Sequence, residues 1–143
     1  MQQYAEQVNV FKGLSVPRYY TRKGVSPYDM FRYEQRSSTI KNPDGSTVFH
    51  MENVEVPHFW TQVATDILAQ KYFRKAGVPQ VDEKGNVIRD DKGEVTTGPE
   101  RSVKQVVRRL AGCWRFWGEK EGYFETPQDA QAFEDELSYM LVH

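Results

Sequence analysis

The chain has 143 residues, a net charge of -1, 27% charged and 38% hydrophobic residues. That composition suits one folded domain and excludes a disordered or collagen-like chain. The near-neutral balance gives no global electrostatic case for nucleic acid, and a single cysteine, Cys113, excludes an intrachain disulfide.

Aromatic residues reach 13%, which supplies large buried areas to a small core. The first 30 residues hold no apolar run of signal-peptide length, and no stretch approaches the roughly 20 apolar residues of a membrane span. With one unpaired thiol, a reducing, cytoplasmic location without membrane contact is expected. Charge is unevenly spread: residues 1–36 carry six Lys/Arg and three Asp/Glu, 101–120 carry six and one, and 121–143 carry six Asp/Glu and no Lys/Arg. Such blocks suggest segments that pack on one another.

Residues 1–36 read as an aromatic, basic arm, with Pro17 and Pro27 as breakers and a short helical turn near Pro27–Arg32. Its rings (Phe11, Tyr19, Tyr20, Tyr28, Phe31, Tyr33) would anchor it to another surface. Residues 37–143 read as a helical module with hairpins, and the whole as a single domain truncated at its C-terminal end. Ser38-Thr39-Ile40 and Thr47-Val48-Phe49 flank Asn42-Pro43-Asp44-Gly45, a hairpin signal. A helix is expected from His58 to Ala76, with Trp60, Val63, Ala64, Ile67, Leu68 and Tyr72 on its inner face and Phe59, Ala69 and Phe73 elsewhere on the circumference.

Residues 80–98 contain a small repeat, Asp82-Glu83-Lys84-Gly85-Asn86-Val87 and Asp90-Asp91-Lys92-Gly93-Glu94-Val95. Each copy predicts a turn followed by a short strand. It is no EF-hand, because the sixth position from Asp82 is Val87 where that loop needs glycine.

A second helix is expected from Ser102 to Lys120, opened by a Ser102/Gln105 capping box. Val103, Val106, Val107, Leu110, Cys113, Trp114 and Trp117 share one face at about 100° per residue. Arg101, Lys104, Arg108 and Arg115 share the opposite face, with Phe116 beside them and Gly112 among them, where something could approach closely. A third helix starts at Thr126-Pro127 and puts Ala130, Phe133, Leu137, Met140 and Leu141 on one face and Ala132, Tyr139 and Val142 on the other. It lacks a C-terminal cap, which suggests a piece of a longer protein with an open patch around Tyr139 and Val142. The expected core is Trp60, Val63, Ile67, Val103, Leu110, Trp114, Trp117, Phe133 and Leu137. The fold class is mainly α with small β-hairpins (α+β), a helical module.

No catalytic, cofactor-binding or metal site emerges. His50, His58 and His143 have no partners at ligand spacing. Cys113 lies on an apolar stripe and reads as a buried, slow-reacting thiol. The glycines match no phosphate loop. The one candidate contact set, for a protein partner or an anion, is Arg101, Lys104, Arg108, Arg115 and Phe116.

Four runs carry a family resemblance. They are Gly13-Leu14-Ser15-Val16-Pro17-Arg18-Tyr19-Tyr20-Thr21-Arg22; Trp60–Ala64 with Gln70–Pro79; Val107-Arg108-Arg109-Leu110-Ala111-Gly112-Cys113-Trp114-Arg115-Phe116-Trp117-Gly118; and Ala132–Leu141. Together they resemble the N-terminal region of adenosylcobalamin (vitamin B12)-dependent class II ribonucleotide reductases. The resemblance implies a helical module that precedes a ten-stranded α/β barrel. It implies a parent enzyme that reduces ribonucleoside diphosphates with adenosylcobalamin, and it places the radical and redox cysteines outside this chain. The implied partners are the rest of the reductase, the barrel, and a second subunit.

Two readings compete: a structural and interaction module of such a reductase, and a standalone nucleotide- or nucleic-acid-binding domain that uses the basic stripe of residues 101–115.

Overall fold

The computed structural model describes residues 12–82 and 84–143; Phe11 of the arm and Glu83 of the repeat lie outside the described residues. In chain order come a 3₁₀ turn (Pro27–Met30), strands β1 (Tyr33–Lys41) and β2 (Thr47–Pro57), helix α1 (Gln62–Ile67) continued by a π turn (Leu68–Tyr72), strands β3 (Val78–Pro79) and β4 (Thr97–Gly98), and helices α2 (Val103–Lys120) and α3 (Pro127–Val142).

The expected helical module is corrected by this element list. Helix accounts for 37% and strand for 24% of the structure, a mixed α+β domain in which the β1–β2 hairpin rivals the helices in size. The hairpin turn is where the sequence puts it. Gly45 sits at φ +86°, its N–H donates to Asn42 O at 2.9 Å, and the Asp44 carboxylate accepts from Ser46 N–H at 2.8 Å. The strands run further than their β-branched cores suggest, from Tyr33 opposite Pro57 to Lys41 opposite Thr47. Arg36 faces Val54 and Ser38 faces Met51, so one extra residue is inserted in β2. Asn53, at φ +58°, absorbs this bulge, a conformation asparagine tolerates better than most side chains. Beyond the bulge Val54 and Val56 are fully buried. They form the core with Tyr28, Leu68, Ala69, Phe73, Val103, Val106, Val107 and Val142.

The helix expected over 58–76 is corrected to 62–72. Its first turn cannot form because the Arg36 guanidinium takes the carbonyls of Trp60, at 2.6 Å, and His58, at 3.0 Å. Thr61 then caps the helix, accepting from Ala64 N–H at 3.1 Å. At the other end Phe73 N–H reaches Leu68 O at 3.1 Å, the wide closure of a π turn, and Phe73 leaves in an extended conformation. The buried face is also corrected: Thr65, Leu68, Ala69 and Phe73 go inward, while Val63, Ile67 and Tyr72 face solvent.

The repeat of 80–98 makes two matching turns. The Asp82 carboxylate accepts from Lys84 and Asn86 N–H, and the Asp90 carboxylate from Lys92 and Glu94 N–H, all at 2.9 Å. Short bridges, Val81 with Val87 and Arg89 with Val95, flank them.

α2 begins as expected. Ser102 Oγ accepts from Lys104 N–H at 3.1 Å, and Gln105 Oε1 accepts from Ser102 N–H at 3.0 Å. Its burial then departs from the expected stripe. Val103, Val106 and Val107 are buried, but Trp114 is 42% and Trp117 55% exposed, and Cys113 is exposed too. The second half of α2 instead turns Ala111 and Gly118 inward. A Cβ on Gly118 would lie 2.5 Å from the Phe124 ring, whereas one on Gly112 would make ordinary contact at 3.6 Å with Glu134. The close approach therefore falls at Gly118, not at Gly112. Small residues admit α3 and its incoming loop on that side, so the tryptophans face outward.

α3 starts at Thr126, whose Oγ accepts from Asp129 N–H at 3.2 Å. Its acidic face binds the basic arm. Arg18 pairs with Asp135 at 2.7 Å, Val16 N–H donates to Asp129 at 2.8 Å, and Glu136 accepts from Thr21 N–H at 2.8 Å and Thr21 Oγ at 2.6 Å. The expected open patch at the end of α3 is corrected as well. Val142 is fully buried, and Tyr139 lies between Tyr20, stacked at 5.0 Å, and His143, stacked at 5.6 Å. The arm's own aromatics cover this face.

Candidate interaction surface

The five residues of the candidate contact set do not form one site. Arg101 donates to Glu52 O, the carbonyl beside the Asn53 bulge, at 2.6 Å. Lys104 pairs with Glu55 at 3.2 Å and lies 3.8 Å over the Tyr33 ring. Arg108 lies 4.8 Å over Tyr28. Arg115 reaches Gln131 at 2.5 Å and Glu134 at 2.7 Å, and Glu134 foremost, then Glu119, hold its proton more tightly, with burial opposing them. Phe116, one residue on, is 61% exposed. The basic face is thus the side on which α2 meets the hairpin and α3. Arg101, Lys104 and Arg108 also border a polar cleft of about 680 Å³, shared with Glu55 and Asp82. Under Lys104, the Tyr33 hydroxyl is buried without a hydrogen-bond partner among the described residues, and burial, with Glu55 nearby, raises its pKa.

Two buried carboxylates were not legible as functional or structural anchors. Glu100 accepts from Arg109 Nε and Nη2, at 3.1 and 3.0 Å, and from Arg74 N–H at 2.8 Å. Burial pushes its pKa up, but Arg109 and the Arg74 amide outweigh burial and hold it below the usual carboxylate range. Glu136 behaves alike: burial is outweighed by the Thr21 hydroxyl and the Tyr20 and Thr21 amides. The only sequence signal for either was an acidic residue beside an apolar run.

The more distinctive surface is apolar. Ala64, Ile67, Leu68 and Tyr72 of α1 and its π turn line an open groove of about 390 Å³ with Val103, Val106, Val107 and Leu110 of α2, Trp60 and Leu141. Trp114 and Trp117 continue the apolar side of α2. Periodicity places all of these residues inside; the structure buries Leu68, Val103, Val106 and Val107 but leaves Ile67, Tyr72, Trp114 and Trp117 exposed. Leu68, Val103, Val106 and Val107 belong to the core as well as lining the groove, and Ile67 and Tyr72 are its exposed members.

Among the described residues no three His, Cys, Asp or Glu side chains gather as a metal-binding group, and no helix is long and apolar enough to cross a membrane. A corrinoid needs a broad bed for its macrocycle and placed polar groups for its amide arms. The polar cleft is walled by Glu55, Asp82, Arg101 and Lys104, and all four are already paired or bonded to the backbone. These residues do not fit that cofactor, and no chemical step is assigned to it on this chain.

The described residues form a small α+β domain with an open apolar groove between two helices. Comparison with known sequences gives its family. The sequence model of the class II vitamin B12-dependent ribonucleotide reductases matches residues 34–143, and the chain belongs to that family. It is 47% identical over 146 aligned positions to the vitamin B12-dependent ribonucleotide reductase of Bradyrhizobium diazoefficiens, covering 90% of this chain and 12% of the relative. The enzyme of the same description from Agrobacterium fabrum is 43% identical, with 90% and 11% covered. That from Streptomyces coelicolor is 40% identical, with 92% and 12% covered. The chain therefore spans about 12% of the length of these relatives, corresponding to their N-terminal region.

Proposed function

We propose that this chain is the N-terminal structural and interaction module of an adenosylcobalamin-dependent ribonucleoside-diphosphate reductase, and that it supports the catalytic barrel without contributing a reacting group. The observation that carries the reading is the match to the N-terminal region of these reductases over 90% of the chain. In such an enzyme the reduction of ribonucleotides to deoxyribonucleotides, the cobalamin and the radical and redox thiols belong to the barrel. A cytoplasmic location suits that role.

The test uses two proteins. The full-length reductase polypeptide should reduce a ribonucleoside diphosphate with adenosylcobalamin and a dithiol. The 143-residue chain alone should show no saturable calorimetric signal with either ligand. Saturable binding by the short chain tighter than about 10 μM, roughly -7 kcal/mol, would favour the competing nucleotide-binding reading. Its location would then be the cleft bordered by Arg101, Lys104 and Arg108. Against that reading stands the engagement of each cation with a carbonyl, a carboxylate or a ring.

A further inference from the structure

We propose that the groove between α1 and α2 is the seat of an apolar helix from the remainder of the same reductase polypeptide. This inference rests on the module reading above and says where the module is held.

Three observations lead to it. First, the groove is apolar on both walls. Ile67 and Tyr72 remain 49% and 58% exposed on one wall, Leu110 is half-buried on the other, and Trp114 and Trp117, further along the same helix and outside the lining, are 42% and 55% exposed. A single protein surface seldom leaves so many large apolar side chains in a row unless something covers them. Two helices with facing apolar rows form a trough that accepts a third apolar element, the helix-in-groove mode of recognition.

Second, the other aromatic face of the molecule is already covered from within. Tyr20, Phe31, Tyr139 and His143 stack on one another, so these rings of the arm lie on that face and not in the groove. The arm is held on α3 by Glu136, Asp135 and Asp129.

Third, α3 leads the chain to the groove itself. Leu141 forms part of its wall, and the Trp60 indole N–H donates to Val142 O at 3.0 Å. The relatives are far longer than this chain, which covers 12% of the Bradyrhizobium reductase. Polypeptide tethered within a few residues of the groove has an effective concentration of about millimolar. That advantage over a separate second copy favours a covalently linked occupant.

The experiment reads access to the groove directly. Ile67→Cys is introduced into the full-length reductase and into the 143-residue chain, and thiol labelling is followed by peptide mass mapping, which separates it from Cys113. Val48→Cys, at an exposed position of the hairpin, is the control. Ile67→Cys should label at least roughly ten-fold more slowly in the full-length protein, while Val48→Cys labels alike in both. Leu110→Cys, on the opposite wall, should repeat the result if the first variant folds poorly. Equal rates for Ile67→Cys in the two proteins overturn the proposal. So does protection in the short chain that grows with its concentration, because the occupant would then be a second copy. Reductase activity measured on the same full-length preparation separates the two readings: an active enzyme with a freely labelled groove overturns this inference alone, and an inactive one with a protected groove overturns the functional reading alone.

Discussion

The two halves of α2 have the same kind of sequence and opposite fates. From Val103 to Val107 the apolar residues are buried against β2 and the Tyr28 region; from Cys113 to Trp117 they face solvent. Nothing in their hydrophobicity separates the halves. The difference lies in the partner. The first half meets Val54 and Val56 of the hairpin, and the second meets α3 through Ala111, Arg115 and Gly118. Helical spacing identifies an apolar face, but the burial of that face depends on which neighbour reaches which side.

The sharpest way to break the comparison is to put the same charge in each half. Val107→Asp should unfold the chain, with a loss above about 4 kcal/mol, because a carboxylate would be buried without a partner. Trp114→Asp should leave the thermal midpoint within a few degrees, about 0.5 kcal/mol. Calorimetry on both variants checks this. Comparable losses would mean that the outer half is as buried as the inner.

Gly118→Ala probes why the halves differ. The new methyl would fall 2.5 Å from the Phe124 ring. The variant should lose about 1–3 kcal/mol by overpacking, even though alanine favours helix by nearly 1 kcal/mol over glycine. Gly112→Ala should be neutral or slightly stabilising. Urea unfolding of the two variants orders them, and equal stabilities would show that α3 does not approach most closely at Gly118.

Several of these features were readable from residues alone. The capping box at Ser102, the Thr126 start of α3, the Asn42–Gly45 turn and the family are each encoded in short local chemistry. The length of α1 was not, because Arg36, more than 20 residues earlier, takes its first carbonyls. Nor was the outward turn of Ile67 and Trp117, since that choice is made by long-range packing of Phe73, Ala111 and Gly118. The basic stripe was found on the right face of α2, but its dispersal among Glu52, Glu55, Tyr28 and Glu134 depends on the hairpin bulge and on α3. The weight of the hairpin in the fold was underestimated for a related reason: the outer residues of β1 are polar and carry no strand signal by themselves.

Acid should loosen the arm before the core. Glu136 is held below the ordinary carboxylate range by the Thr21 and Tyr20 donors despite burial. A depressed folded pKa contributes stability above the unfolded value of about 4.3 and loses it as pH falls through the folded value. Stability should therefore decline below about pH 4.5, and Glu136→Gln should flatten that decline while costing about 1–2 kcal/mol at neutral pH. Denaturant midpoints across pH test the slope; an unchanged slope in the variant would remove Glu136 as its source.

The smallest expected effect is the most direct view of the outer half. Cys113 is the only thiol in the chain and is exposed, although its place among Val107, Leu110 and Trp114 suggested burial. It should react stoichiometrically with a thiol reagent in minutes in the native 143-residue chain, with no change in circular dichroism. Cys113→Ser should shift stability by less than about 0.5 kcal/mol, the usual range for a surface substitution. Slow labelling that speeds up only with denaturant would place Cys113 inside. It would then follow that the second half of α2 is rotated by roughly half a turn from its position here, taking Trp114 and Trp117 inward with it, because residues three and four apart share one helical face.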